Sequence, residues 1–202
     1  MTRSILIALT SHRELGDTGR ETGFFVGEAA HPWKVFTDAG YMVDLVSIAG
    51  GVPPQDGLDA DDPVQKEFLA DERVAAQLAA TRSLADVDPA DYDAILLAGG
   101  HGTMWDFPDD TRLAGLARAV YESGGVVSAV CHGPSGLVNA TLSDGTPLVA
   151  GKRVWRSPTR RSRRSGWPTS SRSCSRPGWR SAAPRTAAPR PSPRTSSATA
   201  AS

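Results

Sequence analysis

The 202-residue chain has only two cysteines, no histidine after position 132 and no acidic residue beyond position 154. Two widely separated cysteines cannot build a disulfide scaffold and suit a reducing compartment. No apolar stretch approaches the length of a membrane span, and the run within MTRSILIALTSHRE turns polar too soon for a signal peptide. The chain therefore reads as soluble and cytoplasmic. It lacks a phosphate-binding glycine loop ending in Lys-Ser or Lys-Thr, and no dinucleotide fingerprint opens its first helix, so nothing calls for a cofactor. Glu28, His31 and His101 fit no strong zinc spacing, and no metal is expected.

A second deficit divides the chain. From Trp155 to the end, 48 residues contain no Leu, Ile, Val, Phe or Met, no Asp or Glu, and 11 Arg. Such a composition cannot close a core and reads as disordered. Residues 1–154 hold all 22 acidic and 11 basic side chains, so the formal neutrality of the whole is a cancellation of −11 by +11. We expect one domain over 1–154 and a basic Arg/Ser/Pro-rich tail over 155–202. The tail has two readings. One is contact with nucleic acid or another anionic surface. The other is a frameshifted translation of a GC-rich gene. In the frame that starts at the third base of each present codon, Ser codons of the TCN type give Phe, Leu, Ile or Val, and Trp codons give Leu, Met or Val. Trp155 to Arg180 then becomes an acidic cluster followed by an amphipathic helix pattern.

What is present before Trp155 is a series of buried strands and amphipathic helices. ILIAL at 5–9 is a short apolar run between polar residues, as in a strand covered on both faces. A long loop follows to about Gly27. Residues 28–39 place Ala29, Trp33 and Phe36 at helical spacing, with Gly40 as the C-terminal cap and Pro32 in the first turn. YMVDLVSI at 41–48 is the next strand, and a loop runs to 63. Helical spacing occupies 64–83, as one or two pieces. DAILLAGG at 93–100 is a third strand, 110–122 a further helix, and VVSAV at 126–130 a buried strand, with another helix beginning over 134–139. Strands alternating with helices, each strand a continuous apolar run, indicate an open α/β fold with a mainly parallel sheet. Function in such sheets gathers beyond the carboxyl ends of the strands. GGHGTMWDFPD at 99–109 and CHGPSG at 131–136 should thus line one crevice.

Cys131 carries the strongest chemical signal. A lone cysteine after apolar residues is often only a small buried hydrophobe. Here a strand delivers it into a tight turn at Cys131-His132-Gly133, the context of a nucleophile elbow. The following amides and helix start are expected to favour the thiolate, the attacking form. His132 is placed for proton transfer. Gly99-Gly100 is a tight turn that also exposes amides able to hold a developing oxyanion. Glu28, taken alone, is a first-turn carboxylate that favours the helix dipole.

Together GFFVGEAAHPWKVF at 23–36, DAILLAGGHGTMWDFPDD at 93–110 and SAVCHGPSGLVNA at 128–140 resemble the class I glutamine amidotransferase-like superfamily, in its PfpI-type branch of heat-shock chaperones and glutathione-independent glyoxalases. The resemblance spans residues 4 to about 154. It implies a flavodoxin-like three-layer sandwich, usually dimeric, with Cys131 as nucleophile, Glu28 as acid/base carboxylate and His132 as its partner. It implies that Gly99, Gly100 and His101 line the substrate site, with the amides of Gly100 and His132 facing the substrate oxygen. The implied reaction takes methylglyoxal, a 2-oxoaldehyde, to D-lactate without a cofactor. Glutamine hydrolysis in the superfamily needs a His-x-Glu pair downstream of the cysteine, and no histidine follows His132. A redox-sensing holdase chaperone and a protein deglycase are the alternatives for the same residues. In the family GKRV leads to an acidic segment and further sheet; here GKRV at 151–154 leads into the basic tail. The C-terminal part of the sandwich is therefore expected to be missing, and an inactive truncated product is a further alternative.

Overall fold

The computed structural model describes residues 3–152. In chain order these form β1 (Ser4–Leu9), β2 (Phe24–Phe25), α1 (Val26–Asp38), β3 (Met42–Ser47), β4 (Gln55–Asp56), α2 (Pro63–Ala70), α3 (Glu72–Ala79), β5 (Arg82–Ser83), β6 (Ala94–Leu97), α4 (Thr103–Asp106), α5 (Thr111–Glu122) and β7 (Val126–Ala129). A 3-10 turn, Gly133–Leu137, follows β7. The main sheet has the order β5-β3-β1-β6-β7, with every pairing parallel. Chain reversal between parallel neighbours requires crossovers, and the helices supply them.

Alternation along β1 explains the three layers. Ile7 and Leu9 point to one face, where they pack with Ala29 and Trp33 of α1, Phe68 of α2, and Val74 and Leu78 of α3. Leu6 and Ala8 point to the other, against Leu113, Leu116 and Val120 of α5. Side chains of a strand alternate between faces, so a run buried throughout must lie between two helical layers. Phe68 and Leu6 are fully buried, and each such side chain contributes about 1.5–3 kcal/mol. The ring of Phe68 meets Trp33 edge-on, with centroids 5.4 Å apart.

Aspartates decide where the helices begin. The carboxylate of Asp62 accepts from the N–H groups of Val64 and Gln65 ahead of α2, and Pro63 fills a first-turn position that needs no N–H. Asp71 ends α2 and caps α3 through Arg73 and Val74, so the helical region expected over 64–83 is two helices and then a short strand. Asp110 caps α5 through Arg112 and Leu113. Each such cap is worth about 1 kcal/mol.

Several boundaries differ from the sequence reading. α1 starts at Val26, so Pro32 lies in its second turn and removes the N–H that would bond the carbonyl of Glu28. The two loops expected around α1 and β3 hold a small parallel pair, β2 with β4, too short for any periodic signal. β6 ends at Leu97, before the glycine pair. The segment after Cys131 is a 3-10 turn rather than an α-helix. The expected buried strand at 126–130 is also corrected: Val126 is 61% exposed, and the rest of β7 is only partly buried. β7 is an edge strand among the described residues, as is β5 at the other side, so one flank of β7 lacks a neighbouring strand there. The basic segment 155–202, with both readings of its origin, lies outside the described residues.

Candidate active site

Three crossovers deliver the site. Glu28 stands in the first turn of α1, Gly99 to His101 follow β6, and Cys131 follows β7. All three segments emerge beyond the carboxyl ends of the strands, where an open parallel sheet leaves a crevice. The sequence reading of one shared crevice is thus met by the topology.

The elbow is visible in the backbone. Cys131 is the one non-glycine residue with positive φ among those described, at 54°. Left-handed backbone costs an L-residue roughly 1–2 kcal/mol, and such strain concentrates at functional positions. The turn fits because glycines leave room for it. A Cβ at Gly133 would sit 2.2 Å from the carbonyl oxygen of Leu97, and one at Gly136 would sit 2.7 Å from the Leu97 side chain. Close approach of the elbow to β6 therefore demands both glycines.

The same logic fixes the turn after β6. An added Cβ on Gly99 would meet Glu28 Oε2 at 2.2 Å and the Cys131 Cβ at 2.8 Å. Gly100 has φ +113, and its Cβ would strike the carbonyl oxygen of Gly23 at 2.2 Å. Phe25 donates its N–H to the Gly99 carbonyl at 3.0 Å, tying the start of α1, and with it Glu28, to this turn.

Within this frame Cys131 is exposed and free of any disulfide, with its sulfur 3.2 Å from Nδ1 of His132. The rings of His132 and His101 lie 4.8 Å apart, tilted by 38°. The Glu28 pKa is raised by burial, against the lowering influence of Cys131, the Gly99 backbone and His101. Oε2 of Glu28 is buried without a hydrogen-bond partner among the described residues, while hydrogen bonds to the carboxyl from Cys131 and the Gly99 backbone favour its charged form. Desolvation lowers the His132 pKa, with help from His101, so its ring is neutral near pH 7 and able to accept a proton.

The amides favour the thiolate as expected, but the thiol as a whole does not follow them. Partial burial and then the carboxylate of Glu28 push the Cys131 thiol up to about 11; the amides of His132 and Gly100 pull the other way and lose. The reason is electrostatic. A thiolate beside a carboxylate places two negative charges in one partly desolvated pocket. The two groups titrate as a coupled pair, with the proton favoured on sulfur in the resting state. Both amides are nonetheless near enough to the sulfur to favour its charged form.

Sequence reasoning missed a group of polar residues beneath the site. Oγ1 of Thr10 donates to the Asp106 carboxylate at 2.8 Å, and the amide of Ser11 donates to it at 2.8 Å. Thr103 Oγ1 donates to the Gly100 carbonyl at 2.9 Å, and Ser135 Oγ to the Thr103 carbonyl at 3.0 Å. No periodicity or motif joins residues so far apart in sequence. His31, by contrast, is not part of the site; its Nε2 pairs with Asp62 at 2.7 Å. Among the described residues no three His, Cys, Asp or Glu side chains gather to hold a metal ion. No described helix is long and apolar enough to cross a membrane.

A cavity of about 580 Å³ opens away from the thiol, lined by Ser4 at the start of β1 with Asp44, Gln77, Arg82, Asp91 and Tyr92. Its polar groups already satisfy one another: Tyr92 donates to Asp44 at 2.8 Å, and Arg82 bonds both Tyr92 and Asp44. Volume alone does not make it the site, since it holds no nucleophile and lies at the other end of β1.

Residues 22–154 match the DJ-1/PfpI family. The chain is 41% identical to Glyoxalase 3 of Candida albicans over 74% of this chain and 66% of that protein. It is 35% identical to the glutathione-independent glyoxalase HSP31 of Saccharomyces cerevisiae over 75% of this chain and 67% of that one. Among solved structures, glyoxalase III of Candida albicans superposes with a TM-score of 0.66 at 38% identity, over 73% of this chain and 64% of that chain. The Rapid Encystment Protein 24 KDa of Francisella tularensis superposes with a TM-score of 0.70 at 35% identity, over 73% and 67%. The chain spans about two thirds of the length of these curated relatives.

Proposed function

The chain belongs to the DJ-1/PfpI family, and on that footing we propose that it is a cofactor-independent glyoxalase that converts methylglyoxal to D-lactate with Cys131 as nucleophile. The observation that carries this reading is the unsatisfied Oε2 of Glu28, buried beside an accessible thiol on a strained elbow. A buried acceptor without a partner is costly, and the hydroxyl created when the sulfur adds to the aldehyde can supply the missing donor.

The steps follow from the geometry. Glu28 takes the proton of Cys131 as the sulfur adds to the aldehyde carbon, so the second negative charge moves at once onto the substrate oxygen. The amides of Gly100 and His132 face that oxygen. The carbonyl π bond breaks, the C–S bond forms, and protonation of the oxygen gives a hemithioacetal. Glu28, a carboxylate again, accepts the proton from the former aldehyde carbon, and the electron pair makes an enediol. Return of a proton to the neighbouring carbon gives a thioester of lactate. His132, with Nδ1 beside the sulfur, receives a proton from the water that hydrolyses this thioester and returns it to the leaving sulfur. No net oxidation occurs: one carbon of the oxoaldehyde is oxidised as its neighbour is reduced. Gly99 keeps the space between Glu28 and Cys131, and His101 flanks His132.

A small uncharged 2-oxoaldehyde, a cytoplasmic setting and a homodimer belong to the same reading. Purified protein incubated with methylglyoxal should form D-lactate, and Cys131→Ser should form none. Wild-type protein without product, or a Cys131→Ser variant with equal product, overturns the proposal. Light scattering tests the dimer.

A further inference from the structure

We propose that Asp106 is a positioning residue for the Cys131 site, holding the Gly100 amide against the sulfur through buried polar contacts that join the ends of β1, β6 and β7. The proposed role in turnover rests on the glyoxalase reading above; the effect on the thiol does not.

Two sets of hydrogen bonds meet at α4, one at each of its ends. Asp106 closes α4, the short helix that follows Gly100 and His101. Its two carboxylate oxygens accept from Thr10 Oγ1 at 2.8 Å each, and Oδ2 accepts from the Ser11 amide at 2.8 Å. Thr10 Oγ1 in turn accepts from the His12 amide at 3.0 Å. At the opposite end of α4, Thr103 donates to the Gly100 carbonyl, and its own carbonyl accepts from Ser135 in the turn after Cys131. Thr10 and Thr103 are fully buried and Ser135 is 9% exposed, so water does not replace these bonds when they break. Gly102 presses this junction together, since a Cβ there would lie 2.6 Å from the His12 carbonyl oxygen and 2.9 Å from Thr10.

The consequence is specific. α4 is four residues long, too short to hold its own place by helix cooperativity. Its position, and that of the turn bearing Gly100, is therefore set by what its two ends grip. Asp106 grips the end of β1, and Thr103 and Ser135 grip the elbow. The Ser11 amide can only donate, and the Thr10 hydroxyl, which already accepts from His12, donates to both carboxylate oxygens, so the carboxylate satisfies every partner. Burial raises the Asp106 pKa, opposed by Thr10, Ser11 and the nearby His12. An amide at this position keeps one oxygen for the Ser11 amide but turns an N–H toward Thr10, which reverses that bond and removes the charge.

The test uses the full chain and reads the thiol directly. Cys131 is alkylated with iodoacetamide from pH 6 to 11 in wild type, Asp106→Asn, Thr10→Val and Thr10→Ser. The groups facing the sulfur are Glu28 from α1 and His132 from the elbow, with His101 behind, and none is altered. Asp106→Asn and Thr10→Val should both slow modification several-fold at each pH from 7 to 9. Thr10→Ser, which keeps the hydroxyl, should track the wild type. The same two variants should lower kcat for methylglyoxal about tenfold with little change in KM. Superposable alkylation profiles for wild type and Thr10→Val overturn the proposal, even if melting temperature falls, because a merely structural role changes stability alone. If wild-type protein forms no D-lactate, the glyoxalase reading fails, while the alkylation rate still decides the role of Asp106.

Discussion

Glu28 lies beside Cys131, and its carboxylate adds to partial burial of the sulfur in holding the proton on Cys131. The group that suppresses the nucleophile at rest is also the one placed to take its proton when a substrate arrives. An uncharged aldehyde removes the conflict, because the charge passes to the carbonyl oxygen as the sulfur attacks.

Replacing Glu28 by Gln should therefore separate reactivity toward an alkylating agent from turnover. Without the carboxylate charge the Cys131 pKa falls from about 11, and alkylation at pH 8 accelerates. D-lactate formation falls by roughly 10²–10⁴-fold, the range for loss of a positioned acid/base. Slower alkylation in this variant would contradict the coupling.

The same substitution should stabilise the fold at neutral pH. A carboxyl whose folded pKa is raised binds its proton more tightly in the folded state, so its effect is harmless below the ordinary carboxylate range and costs stability as pH rises through the folded pKa. Glu28→Gln removes that cost. Urea melts at pH 4 and pH 7 should show a gain at pH 7 that shrinks at pH 4.

Cys131→Gly should be inactive and more stable. Glycine adopts φ near 54° freely, so relief of left-handed strain, less the entropy glycine adds to the unfolded chain, leaves about 1 kcal/mol. Chemical denaturation of Cys131→Gly and Cys131→Ser measures the difference, since serine keeps the strain.

Gly99→Ala should abolish turnover with a smaller loss of fold than at Gly100, for its methyl enters between Glu28 Oε2 and Cys131 and meets one backbone atom, the Val130 carbonyl oxygen at 2.8 Å. Gly100→Ala should impair folding itself, since the methyl meets backbone at Gly23, Phe24 and Phe25 in a positive-φ conformation. Soluble yield and circular dichroism distinguish the two outcomes.

Tyr92→Phe tests the distant cavity. Its hydroxyl, whose pKa burial and Asp44 push up to about 12, bridges Asp44 and Arg82, and its loss should cost about 1–2 kcal/mol. Turnover at saturating methylglyoxal should be unchanged, as expected for a group far from the thiol.

Local patterns in the sequence determined the strands β1, β3, β6 and β7, the helices α1 and α5, and the elbow cysteine, because apolar periodicity and glycine punctuation act over a few residues. Its motifs also singled out Glu28, Gly100 and His132. Only the tertiary structure decided what those residues do to one another. Sheet order brings Glu28, Gly99 and Cys131 into one pocket, where partial burial and then the charge of Glu28 outweigh the amides that favour the Cys131 thiolate. It also decided that β7 stands at an edge of the sheet among the described residues, where an apolar run alone reads as buried. Thr10 and Asp106 meet across 96 positions, a pairing that no local periodicity encodes, because it exists only once β1 and β6 lie side by side.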